Sequence, residues 1–353
     1  RETEAAIEGA WGLARGGARP APLEDSPKCT GCSLNGICLP DETRLLGALE
    51  GKGGKPEEVR RLAAPRTELR TLYLNTAGLR VGKSGAVLQI REKERLAQEA
   101  RIGELGSVNV FGNIQLSTQA IQALCEAEVP VCYFSMGGWF YGITQGLIQK
   151  NVFLRREQYR KADDGEFCLR LARQLTAAKI RNQRTLVLRN HAEPGERVLR
   201  EMKAMAEAAE QASSVEELLG VEGHGARLYF GAFAGMLKGE AALEFEFEGR
   251  NRRPPRDPVN AMLSLGYSVL AKDLTIACAA VGFDPYLGYF HQPRFGRPAL
   301  ALDLMEPFRP LVADSAVLTA VNTGMVGAGD FVRAGKSVAL KAEGRKGFFR
   351  AYE

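Results

Sequence analysis

Residues 70–91 read RTLYLNTAGLRVGKSGAVLQIR and decide how the rest of the chain is interpreted. Apolar and polar residues alternate in Thr71–Asn75 and again in Ala86–Arg91, which is typical of half-buried strands. The connection between these runs contains Gly78, Gly82 and Gly85. Glycine is common in connections because it adopts turn conformations that other residues avoid. The stretch therefore predicts two strands joined by a glycine-rich loop.

Further strands are predicted downstream, as far as about residue 146. The candidates are Ser107–Phe111, Val129–Phe134 and Trp139–Ile143, and a single helix over Ser117–Ala127 interrupts them. Beyond Leu147 apolar residues recur at helical spacing. The predicted helices are Asn151–Lys161, Glu166–Asn190, Pro194–Ala212, Glu222–Met236, Val259–Gly282 and Glu306–Asn322. The fold class is therefore α+β: a β-rich N-terminal domain over 68–147, followed by a larger all-α domain over 148–353.

A small cysteine-rich stub precedes these two domains. It begins with a predicted helix, Glu2–Ala14, and contains Cys29, Cys32 and Cys38 in a turn-rich stretch. Gly51–Pro56 has the Gly/Lys/Pro composition of a linker. We therefore predict a stub over 1–45 and a linker over 46–67. Because the sequence begins at Arg1 without an initiator Met, an upstream segment is expected.

The composition is that of a globular protein of the reducing cytoplasm with an anionic partner. The 353 residues are 45% hydrophobic and 25% charged, with a net charge of +5. No apolar run reaches the roughly 20 residues of a membrane span, and no secretion signal is recognisable. An odd number of cysteines, seven, argues against a disulfide framework. Basic residues cluster at Lys150–Arg160, Lys179–Arg189, Arg250–Arg256 and Lys336–Arg350. Such clusters either bind phosphates or are solvated helix faces.

One imidazole and two acids are close together near the end of the chain. His291 precedes an apolar segment in which Asp303 and Glu306 are the only acids. On a helix, acids three residues apart project to the same side. Buried carboxylates repel each other, and a divalent cation relieves the repulsion. Carboxylates with an imidazole suit Mg²⁺ or Mn²⁺. The alternatives are a core histidine and two acids on the surface of an amphipathic turn.

Glu222 is a further candidate. It lies between small residues in the sequence Leu219–Phe230, where Gly223 and Gly225 permit a close approach of the backbone to a bulky group. The alternative is that Glu222 is an acid in the first turn of its helix, where it complements the helix dipole.

Five blocks in the same order resemble the CRISPR-associated adaptation integrase family. The blocks are Arg70–Gly85, Lys179–Asn190, Val221–Phe230, Pro254–Tyr267 and His291–Pro310. The resemblance extends over roughly residues 68 to 350. It implies a metal-dependent transesterification of DNA in which Glu222, His291 and Glu306 match the metal ligands and Asp303 a supporting acid. Glu306 stands where some relatives have Asp. The nucleophile is then the 3′-hydroxyl of an incoming DNA fragment.

The resemblance also implies the partners. They are double-stranded DNA with 3′ overhangs, the CRISPR repeat, a second copy of the chain in a homodimer, and the small ferredoxin-like adaptation subunit. Lys179, Asn182, Arg184, Arg227, Arg252 and Arg253 are the candidate DNA contacts. Helix-surface charges and a structural polar pair are their alternative interpretations. A non-catalytic DNA-binding scaffold and a generic metal-dependent nuclease are the alternative functions.

The cysteine cluster has its own resemblance. Cys29, Cys32 and Cys38 supply three thiolates, and tetrahedral metal sites need four ligands. The segment resembles the C-terminal end of the CRISPR-associated iron–sulfur exonuclease, a RecB-like family in which one early cysteine completes a 4Fe–4S cluster. That cysteine and the family's catalytic acids and lysine are not in this sequence, so no exonuclease activity is expected of this chain alone. A zinc knuckle is the alternative.

Overall fold

The structure is a computed structural model that describes residues 2–16, 23, 26–28, 69–146, 152–238, 245–251, 254–291 and 294–353. The chain divides into two compact units, Arg1–Glu68 and Leu69–Glu353. Helix α1 (Glu2–Gly16) is the part of the first unit described in detail, and it matches the predicted Glu2–Ala14 closely. Cys29, Cys32 and Cys38 and the predicted linker over 46–67 lie outside the described residues.

The β-rich region contains two sheets. Its strands are β1 (Arg70–Leu74), β2 (Leu79–Ser84), β3 (Val87–Glu92), β4 (Arg95–Arg101), β5 (Leu105–Phe111), β6 (Gln115–Leu116), β7 (Val131–Phe134) and β8 (Phe140–Thr144), and its helix is α2 (Thr118–Glu126). One sheet has the order β1-β5-β7-β8, in which the first three strands are parallel and β8 is antiparallel. The other has the order β4-β3-β2-β6.

Three of these strands differ from the prediction: β2, β4 and the two-residue β6, which pairs with β2 and was not predicted. The glycine-rich segment predicted as a loop is strand β2, which pairs with β3 from Leu79 opposite Glu92 to Ser84 opposite Val87. Its alternating Leu79 and Val81 are buried, so burial on one face outweighs the weak strand propensity of Gly82. Strand β4 was not predicted because hardly any of its side chains are buried, and its pairing with β3 alone defines it.

The second region is mainly helical. Its helices are α3 (Val152–Ala162), α4 (Gly165–Asn190), α5 (Glu196–Gln211), α6 (Val215–Ala232), α7 (Pro258–Val281), α8 (Ala299–Met305), α9 (Ser315–Asn322) and α10 (Ala342–Tyr352). Strands β9 (Phe331–Ala334) and β10 (Ser337–Leu340) form a hairpin in this region. The predicted basic tail, Lys336–Arg350, is thus folded into β10 and α10. The predicted helix Glu306–Asn322 is instead a π-helical turn, Arg309–Asp314, followed by α9.

The prediction that Glu222 opens a helix is wrong. Helix α6 begins at Val215, because the Ser214 hydroxyl accepts a hydrogen bond from the backbone N–H of Glu217 at 3.2 Å and caps the helix there. Glu222 therefore lies in the middle of α6, and the helix-dipole explanation for this acid no longer applies.

The two regions of the second unit share one hydrophobic core. Phe111, Cys132 and Phe134 of the sheet pack with Val269 of α7 and Phe348 of α10 in a single cluster of buried residues. Among the described helices, α7 has the length and composition of a membrane-spanning segment. Its apolar residues belong to this core, which produces the same composition in a globular protein.

Arg345 joins the sheet region to α10. Its side chain is buried, and its guanidinium donates to the carbonyl oxygens of Met136 at 3.1 Å, Leu340 at 2.7 Å and Asn75 at 3.1 Å. The Asn75 amide donates in return to the carbonyl oxygen of Ala342 at 3.1 Å. Backbone carbonyls of both regions are therefore satisfied by one side chain.

We expect the substitution Arg345→Ala to lower the free energy of unfolding by roughly 2–4 kcal/mol, because three carbonyl oxygens, of which those of Leu340 and Asn75 are in buried hydrogen bonds, lose this donor. Urea denaturation followed by circular dichroism measures this loss. Arg350→Ala, at an exposed position of the same helix, is the control and should change stability by no more than about 0.5 kcal/mol. Equal losses in the two variants would contradict the role assigned to Arg345.

Candidate active site

Close packing of α6 on α4 brings Lys179 and Glu222 together. A side chain at Gly225 of α6 would meet Ile180 of α4 at 3.2 Å, so glycine permits the helices to pack closely. Lys179 precedes Ile180, and Glu222 lies one helical turn before Gly225. The expected close approach is therefore found at Gly225, whereas a Cβ at Gly223 would meet nothing within 4 Å.

The Lys179 ammonium lies between two carboxylates. Its Nζ is 2.5 Å from Oε1 of Glu222 and 2.6 Å from Oε2 of Glu306. The three side chains are 11%, 18% and 4% exposed, respectively. Glu222 and Glu306, which are far apart in the sequence, thus meet at one buried nitrogen atom. Lys179, predicted as a DNA contact, is engaged here with the acids.

Glu306 is held in its ionised form. It is the C-cap residue of α8, and Nη2 of Arg309 forms an ion pair with its Oε1 at 3.1 Å. Burial raises the pKa of Glu306, but the charges of Arg309 and Lys179 outweigh burial and bring the pKa to about 2. His291 is also near Glu306 and, when its ring is protonated, its charge lowers the pKa of Glu306 further. At neutral pH the side chain is therefore a carboxylate that can bind a cation and cannot donate a proton.

Asp303 fixes the position of His291. This carboxylate is fully buried and accepts hydrogen bonds from the backbone N–H groups of Tyr289, Phe290 and His291 at 2.6 to 2.9 Å. Its Oδ1 also lies 2.7 Å from the imidazole Nδ1. Because the carboxylate accepts three N–H bonds, Nδ1 is assigned as the donor, which leaves the Nε2 lone pair for a ligand. Asp303 is therefore a positioning residue, and the alternative of two surface acids is wrong.

Gly288 explains why the chain can wrap around Asp303. A Cβ at this position would meet Oδ2 of Asp303 at 2.7 Å and the backbone of Ala299 at 2.8 Å. Glycine therefore permits the backbone to approach the carboxylate closely enough to donate its N–H groups.

The residues fit a hard divalent cation chemically, although the described residues contain no ready-made group of three acidic, histidine or cysteine ligands. Carboxylate oxygens from Glu222 and Glu306 and an imidazole nitrogen from His291 are suitable ligands for Mg²⁺ or Mn²⁺. The buried Oε2 of Glu306 accepts no hydrogen bond, so its contact with Lys179 is an ion pair without hydrogen-bond geometry. A cation would satisfy this oxygen.

The other predicted DNA contacts occupy varied positions. Asn182 donates to the carbonyl oxygen of Pro307 at 2.9 Å, which favours the structural interpretation of this residue. Arg184 donates to the carbonyl oxygen of Leu199 at 3.0 Å and lines a cavity with Arg181 and Lys203. Arg227 is exposed on α6. The predicted contacts Arg252 and Arg253 lie outside the described residues.

A buried network behind Glu306 was missed by the sequence analysis. The Arg309 guanidinium lies 4.6 Å from the centre of the Tyr267 ring, and the hydroxyls of Tyr267 and Tyr229 donate to Asp314 at 2.6 and 2.7 Å. Arg309 and Asp314 are the ends of the π-helical turn, and such turns often occur at functional sites. The network holds Arg309 against Glu306. Arg309 follows Glu306 by three residues, and on a helix this spacing puts the two side chains side by side. That spacing is the sequence feature that could have predicted their ion pair.

The family model described as "CRISPR associated protein Cas1" matches residues 72–353. A relative from Geobacter sulfurreducens, described as a "CRISPR-associated exonuclease Cas4/endonuclease Cas1 fusion", is 46% identical over 99% of this chain. The chain spans 63% of that relative's length.

Solved structures are similar to the chain over most of its length. The Cas1 protein of Thermotoga maritima covers 81% of this chain and 89% of its own, with 24% identity and a TM-score of 0.71, which shows the fold. A "Cas6-RT-Cas1--Cas2 complex" has 25% identity and a TM-score of 0.69 over 87% of this chain and 34% of that one.

The network predicts a specific dependence of stability on pH. Burial raises the pKa of Asp314 to about 6 despite the two tyrosine hydroxyls and Arg309, which lower it. A folded-state pKa above the ordinary 3.8 means that the folded chain binds this proton more tightly than the unfolded chain. The resulting stability is fully present below pH 3.8 and is lost as the pH rises through 6.

The substitution Asp314→Asn should therefore remove a fall in stability between pH 3.8 and 6. The fall amounts to at most about 3 kcal/mol at 1.36 kcal/mol per pKa unit. Urea denaturation of both proteins across this range measures the difference, and the exposed Asp163→Asn is the control. Parallel pH profiles for the wild type and Asp314→Asn would show that Asp314 does not titrate in this window.

Proposed function

The chain belongs to the CRISPR-associated Cas1 family, and from this we propose that it is a metal-dependent DNA integrase of CRISPR adaptation. In the proposed reaction the 3′-hydroxyl of a captured DNA fragment attacks a phosphodiester of the CRISPR repeat. A new phosphorus–oxygen bond forms, the bond to the repeat's leaving 3′-oxygen breaks, and that oxygen takes up a proton. The number of phosphodiesters is conserved.

One observation carries this proposal: two acids from distant segments, Glu222 and the ionised Glu306, converge on one buried cation position, with His291 near Glu306. Burying like charges together is costly, and a chain with only a structural use for these positions would often be equally or more stable with apolar residues there. Such an arrangement is typical of a metal-dependent phosphoryl-transfer site.

Each residue has a defined task in the proposed site. Glu222 and Glu306 bind the cation, and Arg309 keeps Glu306 ionised. His291 supplies its Nε2, and Asp303 orients the ring through Nδ1. A bound Mg²⁺ or Mn²⁺ supplies Lewis acidity that favours the alkoxide form of the attacking 3′-hydroxyl and neutralises charge on the phosphate. No serine or cysteine nucleophile is required, because the attacking oxygen belongs to DNA.

The proposed partners are DNA and a small adaptation subunit. The structural neighbour from the Cas6-RT-Cas1–Cas2 complex supports a Cas2-like subunit. We propose as substrates double-stranded DNA with 3′ overhangs and the CRISPR repeat, bound by a homodimer in the cytoplasm. Arg184 and the exposed Arg227 are proposed phosphate contacts, together with Arg252 and Arg253. Lys179 can contact DNA only after it leaves the two acids.

The N-terminal stub is proposed to belong to an iron–sulfur nuclease half. The Geobacter sulfurreducens relative carries a fused exonuclease Cas4 in its name, and the chain spans only part of that relative. Cys29, Cys32 and Cys38 would supply three of the four thiolates of a 4Fe–4S cluster. The fused half would process or select DNA ends, and the part described above would integrate them.

We expect Glu222→Gln and His291→Ala to lower strand transfer by at least about 100-fold while DNA affinity stays nearly unchanged, because each removes a ligand of the cation and no phosphate contact. An integration assay with a short duplex, a repeat-bearing plasmid, the small subunit and Mn²⁺ measures the transfer, and EDTA should abolish it. Glu216→Gln and His224→Ala are matched controls, since both residues are exposed on α6.

The same assay distinguishes the alternatives. If Glu222→Gln and His291→Ala integrate normally, the site assignment is wrong. If the wild type binds the DNA and neither joins nor cuts it, the protein is a non-catalytic scaffold. If the wild type only releases nicked or shortened DNA and never joins ends, water is the nucleophile and the protein is a nuclease.

The iron–sulfur assignment predicts iron and acid-labile sulfide in the full-length fusion protein, purified without oxygen. Substituting Cys32→Ala should remove both, because a 4Fe–4S cluster needs four thiolates. Cys125→Ala, outside the cluster, is the control. Stoichiometric zinc without iron would support the zinc knuckle.

A further inference from the structure

The strongest unexplained feature of the site is the ammonium at its centre. Lys179 occupies the position between Glu222 and Glu306 that the proposed function requires for a divalent cation. We propose that Lys179 is a built-in cation that keeps the two carboxylates together in the metal-free protein, and that a divalent ion binds by displacing it. The inference rests on the proposed metal dependence and adds a residue that controls metal affinity.

The electrostatics of the metal-free site require a cation at this position. Glu222 and Glu306 come from different segments, both are largely buried, and their repulsion is weakly screened. A single ammonium within 2.6 Å of both carboxylates compensates this repulsion. Lys179 therefore offsets the repulsion between the two carboxylates before any metal binds.

The two cations of the site differ in mobility. The Arg309 guanidinium contacts Oε1 of Glu306 and is stacked over Tyr267, so its plane is fixed. Lys179 carries a point charge at the end of a flexible four-carbon stem; it donates a hydrogen bond to Oε1 of Glu222 at 2.5 Å and contacts Oε2 of Glu306 only as an ion pair. The lysine is therefore the cation that can leave, whereas Arg309 stays.

Displacement also changes the charge presented to DNA. In the structure the two positive charges of Lys179 and Arg309 balance the two negative charges of Glu222 and Glu306. Replacing the ammonium by a divalent ion makes the cluster net positive, and the released Lys179 remains close by on α4. A positive cluster attracts an anionic phosphodiester, so metal binding prepares the site for its substrate.

The opposite interpretation is a permanent ion pair. A buried pair that only stabilises the fold would hold its carboxylates in place with or without metal, and removing the lysine would weaken the fold and the metal site together. The two interpretations therefore predict opposite changes in metal affinity and in the exposure of the lysine.

Manganese affinity is the first test. Lys179→Met should bind Mn²⁺ at least about tenfold more tightly than the wild type, because the ion no longer competes with the ammonium and relieves the repulsion of two unpaired acids. Titration of free Mn²⁺ followed by electron paramagnetic resonance measures both dissociation constants. Lys203→Met, which removes an exposed lysine, is the control and should leave the affinity unchanged. Equal or weaker binding by Lys179→Met overturns the proposal.

A measurement on the wild-type chain covers the case in which Lys179→Met does not fold. Acetylation by an amine-reactive ester, mapped by mass spectrometry, should be several-fold faster at Lys179 with Mg²⁺ than with EDTA at equal ionic strength, because displacement frees the ammonium. The exposed Lys203 should react equally in both conditions. Unchanged acetylation of Lys179 at a Mg²⁺ concentration that saturates the site overturns the proposal. A folded wild type that binds no Mn²⁺ contradicts the proposed metal dependence instead.

Discussion

The repulsion between the largely buried carboxylates of Glu222 and Glu306 is the constraint that the surrounding polar side chains must satisfy. Glu222 and Glu306 are brought to one point by the close packing of α6 on α4 at Gly225 and by the end of α8. Their charges are then supported from several sides. Lys179 bridges them, and Arg309 holds Glu306 while Tyr267, Tyr229 and Asp314 hold Arg309. All of these polar side chains therefore contribute to holding the two carboxylates together.

His291 is held in place by a separate set of hydrogen bonds, centred on Asp303. Asp303 is saturated by three backbone N–H groups, and Gly288 permits the loop to approach it. The imidazole is thereby fixed before any ligand binds. Pre-organised ligands lose little freedom when a metal arrives, and oriented imidazoles are better ligands. The acids are held together by a displaceable cation, whereas the histidine is held by a permanent hydrogen bond.

The sequence predicted the acids and the histidine but not how they are held. The alternation in Thr71–Asn75 predicted strand β1, and the apolar spacing in Glu166–Asn190 predicted helix α4. Both predictions succeed because an element buried on one face carries apolar residues at the period of its secondary structure. Strand β4 was missed because its side chains are almost all exposed. Lys179 was predicted to contact DNA because it begins a basic cluster within one of the blocks that resemble the integrase family. Only the tertiary packing of α4 against α6 places it between acids 43 and 127 residues away.

We propose that Glu222, His291 and Glu306 bind one divalent ion at the position that the Lys179 ammonium occupies in the structure. Crystals of the protein grown with MnCl₂, with anomalous diffraction recorded at the manganese edge, test this most directly. We expect a single strong anomalous peak within coordinating distance of both carboxylates and of Nε2 of His291, with the lysine ammonium moved away. A peak elsewhere, or density for Lys179 still bridging the two acids beside an ordered ion, would contradict it.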